Sequence, residues 1–110
     1  MLIQVDTDHN IEGRELLTEH VREVVTHAMA HVATHITRVE VHLSDENGPQ
    51  TGLSTMRCAM EARLERHQPL NVTFDAESIH QAIAGAADKL SHLVEHTLGR
   101  LRDQRRHRTD

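Results

Sequence analysis

Aromatic side chains are nearly missing from this 110-residue sequence, which holds one Phe and neither Trp nor Tyr. Its core must then come from Val, Leu, Ile, Ala and Met. Modules that stack bases on aromatic platforms lose their main device here. Cysteine occurs once, at Cys58. One thiol closes no internal disulfide, which agrees with a cytoplasmic setting. Lysine also occurs once, at Lys89. No apolar run approaches the roughly 20 residues that cross a bilayer. The opening MLIQVDTDHN lacks the basic and apolar regions of a signal peptide. A cytoplasmic protein with no membrane partner is expected.

Hydrophobic residues make up 37% of the chain, enough for one modest core. The length suits one domain, expected over 1–102, followed by a basic, disordered tail over 103–110. Neither a repeat nor a linker breaks the pattern. The formal net charge is -5 with histidine neutral, and it is unevenly spread. Residues 89–110 hold six basic and three acidic side chains, whereas residues 1–88 hold six and fourteen. A basic end on an acidic body points to a polyanion partner for that end, and the overall acidity argues against a non-specific nucleic-acid binder.

Periodicity supplies the elements. Leu2–Val5 reads as a short strand. Leu17, Val21, Val24, Val25, Ala28 and Val32 form one apolar stripe and predict a helix from about Arg14 to Val32, with Gly13 as N-cap. Ile36–Leu43 alternates with period two, as does Met56–Leu64, and Leu70–Phe74 follows as a last strand. Ser44–Gly52 is a turn cluster and His67-Gln68-Pro69 another. Asp75 is the expected N-cap of a final helix whose stripe includes Ala82, Ile83, Ala86, Leu90, Val94 and Thr97, ending near Arg102. The order is β-α-β-β-β-α. The fold class is α+β, a four-stranded sheet with two helices packed on one face.

Three stretches carry a family resemblance: Asp8-His9-Asn10-Ile11-Glu12, the strand Ile36-Thr37-Arg38-Val39-Glu40-Val41-His42-Leu43-Ser44, and Ile79 to Leu90 with its Ala-Ile pair and Asp-Lys-Leu. In this order and spacing they resemble the ribosome hibernation-promoting factor family, also called the ribosome-associated inhibitor or sigma-factor modulation family, in its short form. The resemblance implies a fold related to double-stranded RNA-binding domains. It also implies docking on the small ribosomal subunit, through rRNA, in the channel where messenger and transfer RNA sit. Bound there under stress or in stationary phase, such a protein blocks translation and protects idle ribosomes. Family members display many Lys and Arg on their helices. Here helix one carries Glu15, Glu19, Glu23, His20, His27 and His31 instead, which leaves fewer cations to neutralise phosphates.

The RNA-binding candidates are Lys89, Arg100, Arg102, Arg105, Arg106, Arg22, Arg57 and Arg63. Lys89 belongs to the matched Asp-Lys-Leu and reads as a phosphate contact, or as a solvated lysine beside Asp88. The helix dipole accounts for Arg100 and Arg102 but not for the run Arg105 to Arg108 beyond them. Arg57 and Arg63 either touch RNA or pair across strands with Glu40 and Glu61. His27, His31 and His35 recur at steps of four, as do His92 and His96. Such pairs can share a metal ion on a helix, yet without a cysteine pair or an H-E-x-x-H they read as surface histidines. Their protonation would offset the acidic charge and tune RNA affinity with pH. Cys58 points inward as a small core residue.

The expected function is a translation inhibitor that is not an enzyme. It needs no catalytic residue, metal, cofactor or small-molecule substrate, and works as a monomer or weak dimer. The rival is an adaptor or stress protein of the same fold that has left the ribosome and holds a basic protein on its acidic helix one.

Overall fold

The computed structural model describes residues 1–8, 11–46 and 55–108, with side chains through Arg106. His9, Asn10 and most of the Ser44–Gly52 turn cluster lie outside the described residues. Four strands form one mixed sheet: β1 (Leu2–Thr7), β2 (Ile36–Asp45), β3 (Met56–Leu64) and β4 (Leu70–Ala76), in the order β1-β2-β3-β4. Helix α1 (Arg14–Ala28) lies between β1 and β2, and α2 (Ile79–Arg108) follows β4. β1 and β2 are parallel, as the crossover through α1 allows, while β3 and β4 run antiparallel to their neighbours.

Period-two alternation sorts the sheet into two faces. Val39, Val41 and Leu43 of β2 meet Ala62, Met60 and Cys58 of β3 in register, and all six are buried. From the helical layer, Leu17, Val21 and Val25 of α1 and Ala82, Ile83, Ala86, Leu90 and Val94 of α2 complete this core. Thr97 is its buried polar member, and its hydroxyl donates to the Leu93 carbonyl at 2.8 Å. Burial pushes the Cys58 thiol up to about 12, so it stays protonated and inert.

The helix boundaries differ from expectation in three places. α1 stops at Ala28 rather than Val32. The Val32 amide bonds the Met29 carbonyl at 2.9 Å, tightening the chain into a 3-10 turn over Ala33–His35, while Ser91 of α2 donates to the freed Ala28 carbonyl at 3.1 Å. Val32 is still buried, because the tightened turns return it to the apolar side. The N-cap of α2 is Ser78, whose hydroxyl accepts from the Gln81 amide at 3.1 Å. Asp75 is extended in β4 and its carboxylate is taken by Arg57. Finally, α2 does not end near Arg102. It continues to Arg108, because Asp-Gln-Arg-Arg contains no Gly or Pro to stop it. At ~1.5 Å per residue this helix is the long axis of a molecule measuring 60 × 23 × 19 Å.

Phe74 closes one end of the sheet by lying on Gly85 of α2, where any Cβ would fall inside its ring. Gly85→Ala should therefore lower stability by about 0.5–1 kcal/mol, because losing the ring contact outweighs the ~1 kcal/mol helix advantage of Ala. In a Phe74→Ala background the same change should stabilise by a similar amount. Urea unfolding of the four proteins reads both signs, and the same sign in both backgrounds would refute the contact.

Candidate nucleic-acid interface

The sheet face opposite the helices carries charge, and its cations are occupied. Arg57 donates Nε and Nη2 to the two carboxylate oxygens of Asp75, at 2.8 and 3.2 Å, and holds Glu46 at 3.3 Å through Nη1. Arg63 lies 3.7 Å from Glu40 and 3.9 Å from Glu61, and Arg38 lies 3.4 Å from Glu40. Register explains the design. Glu40 sits opposite Glu61 and Arg38 opposite Arg63, two like-charge pairs that repel unless the arginines reach diagonally to the carboxylates.

The clamp leaves its mark on titration. The hydrogen bond from Arg57, then its charge, hold the Asp75 carboxyl below its ordinary 3.8. The bond to Asp75 and the charges of Asp75 and Glu46 raise the guanidinium in turn. A depressed native carboxyl stabilises the fold above its unfolded value, and that contribution is lost as pH falls through the native value. The Tm gap between wild type and Asp75→Asn should thus be steady from pH 8 to pH 5 and narrow as pH falls below the carboxyl's ordinary 3.8. A gap unchanged at low pH would contradict the pairing.

The remaining candidates divide by helix face. Lys89 stands exposed beside the β4 edge, its Nζ donating to the Thr73 carbonyl at 3.1 Å. With ~100° per residue, His96 and Arg100 fall on its side of α2, about two and about three turns on. Arg100 lines a shallow depression with His92, Glu95, His96 and Asp103. Arg102 and Arg105 look the other way, into a half-open cleft of about 550 Å³. The cleft also takes Thr34 and His35 from the 3-10 turn, Leu64, Glu65 and Arg66 from the end of β3 and its turn, and Leu98 and Leu101 from α2. Arg106 is exposed near the end of α2, and Arg22 is exposed on α1 among glutamates. The side chain of Arg108 lies outside the described residues.

Sequence reasoning missed Arg66, and it read His35 with His27 and His31 rather than with Arg102. Neither Arg66 nor His35 belongs to a basic run, and only the convergence of three elements brings them to Arg102. The histidine spacing also resolves differently from its sequence pattern. His27 is in α1, but His31 and His35 lie past its end, so those three do not stack on one helix. His31 pairs with Glu95 across the helical layer, and His20 meets His80 edge-on with ring centroids 4.6 Å apart. Among the described residues no group of three His, Cys, Asp or Glu side chains is arranged to hold a metal. No helix there is long and apolar enough to cross a membrane.

The family model described as sigma 54 modulation protein / S30EA ribosomal protein matches residues 7–102. The chain belongs to this family. Its members are ribosome-associated inhibitor and hibernation proteins, regulators rather than enzymes. Among solved structures, the N-terminal domain of Thermus thermophilus Protein Y is similar with a TM-score of 0.71 at 18% identity, over 88% of this chain and 99% of that one. A ribosomal subunit interface protein from Coxiella burnetii is similar with a TM-score of 0.68 at 12% identity, over 90% of this chain and 99% of that one. Identities this low support the shared fold alone. No curated protein sequence matches the chain. The two solved structures share the expected β-α-β-β-β-α fold.

Proposed function

We propose that this protein binds the small ribosomal subunit through rRNA and occupies the messenger and transfer RNA channel, silencing translation under stress or in stationary phase. The observation that carries the reading is the family match over residues 7–102, which takes in α1, β2, β3, β4 and α2 as far as Arg102. The contacts come from α2: Lys89 in its first half, and Arg100, Arg102, Arg105 and Arg106 toward its end. These cations sit on several sides of one projecting helix, as suits insertion between RNA segments rather than docking on a flat surface. Arg57 and Arg63 serve the sheet's own ion pairs, and Arg22 stands in an acidic surrounding. Inhibition is steric and needs no bond-making. The protein acts in the cytoplasm, as a monomer or through weak pairing of an exposed sheet edge.

Co-sedimentation with purified 30S and 70S particles across a salt series tests this. Saturable binding that weakens as salt rises is expected, because phosphate contacts release counterions. Absence of binding even at low salt would end the proposal.

One observation favours the rival adaptor reading. Leu16 is 76% exposed on α1, beside Glu12, Glu15 and Glu19, a surface suited to a basic protein with an apolar side chain. Capture of such a protein without ribosomes, abolished by Leu16→Ser, would support the adaptor and displace the ribosome reading.

A further inference from the structure

The cleft between the end of α2, the β3–β4 turn and the 3-10 turn is built from opposed chemistries. Leu64, Leu98 and Leu101 give it an apolar floor, while Arg66, Arg102, Arg105 and His35 give it cationic walls from three separate elements. Helix-dipole chemistry explains arginines at the end of α2, but not Arg66. That residue has φ 60, and among the described residues it is the one non-glycine with positive φ. The left-handed region suits Gly or Asn and is costly for a long side chain. Arg66 thus brings a guanidinium to the cleft from a backbone conformation that Gly or Asn would adopt at lower cost.

We infer that this cleft receives one unstacked nucleotide of RNA, with its phosphate on Arg66 and Arg102 and its base on Leu64, Leu98 and Leu101. The inference rests on the RNA-binding reading above and names what that surface recognises. A volume of about 550 Å³ lies in the range of small-molecule sites, roughly 300–1,000 Å³, and far exceeds a lone oxyanion. Glu65 on the rim argues against a general anion sink. It favours a ligand anionic on one side and apolar on the other. RNA presents such groups where bases leave the helix, in bulges and loops. With no Trp or Tyr in the chain, aliphatic side chains and guanidinium planes take the place of aromatic platforms.

The test is fluorescence anisotropy of the full chain at one fixed salt concentration, with a labelled RNA hairpin, the same hairpin with a one-nucleotide bulge, and a bulge made abasic. Each base is tried in the bulge. The bulged hairpin should bind about five-fold more tightly than the unbulged one, and the abasic bulge should lose that gain. Arg66→Asn should reduce the preference while Tm stays level or rises, since Asn suits the left-handed backbone. Equal affinity for bulged and unbulged hairpins, or a full preference retained in Arg66→Asn, would overturn the inference. The 30S experiment separates the two readings. Subunit binding without hairpin discrimination removes only the cleft, and hairpin discrimination without subunit binding removes only the ribosome.

Discussion

Arg100→Glu/Arg102→Glu is expected to weaken 30S association by about 30- to 100-fold at low salt. A unit charge ~4 Å from a phosphate is worth about 1 kcal/mol in water. Reversing two cations changes four such units, of which screening removes a part. The two side chains are exposed on opposed sides of α2, one on the depression with His96 and the other in the cleft. If the helix inserts between RNA segments, each loses its own contact and the losses add. The slope of log affinity against log salt should fall by about 1.5–2, because two fewer phosphates are neutralised. Co-sedimentation across salt measures both numbers. Arg57→Gln is the contrast. Its partners are Asp75 and Glu46, so it should alter Tm and leave affinity within about two-fold. An unaltered salt slope in the double variant would remove Arg100 and Arg102 from the RNA surface.

The largest stability loss is expected at Leu90→Ala, about 2–5 kcal/mol. Leu90 is fully buried at the centre of the α2 stripe. Its loss removes transfer energy and leaves a cavity that neighbours fill only in part. The shift in Tm should be about 10–20 °C for a domain of this size. This core has little in reserve. Its buried members are Val, Leu, Ile, Met, Ala and one Cys, with Phe74 at the exposed margin, so no large ring can swing into the gap. Urea unfolding gives the value, and a loss under about 1 kcal/mol would mean that α2 is packed less tightly than its burial indicates.

Much of the architecture was legible because local periodicity reports which side of a segment faces the core. Met56 to Leu64 alternate, and β3 has those limits. The stripe through Leu17, Val21 and Val25 and the stripe through Ile83, Leu90 and Val94 are the buried sides of the two helices. Gly13 caps α1 in the left-handed conformation, with φ 73. Periodicity was misleading at Val32, which continues the stripe of α1 from outside the helix. It was silent at 103–108, where only helix propensity acts and no apolar stripe remains to be read.

The sequence by itself determined the element order, the two-faced sheet, the inward Cys58 and the basic end of α2. Each depends on residue types a few positions apart, the scale at which helix and strand geometry repeat. Tertiary structure alone decided which partners Arg57 and Lys89 meet. Arg57 and Asp75 are 18 positions apart, and Lys89 and the Thr73 carbonyl are 16 apart. It alone set Arg66 in a left-handed turn and brought it to Arg102. These outcomes follow from strand register and helix docking, which place distant residues within hydrogen-bond or ion-pair reach, and a linear pattern carries no measure of that distance.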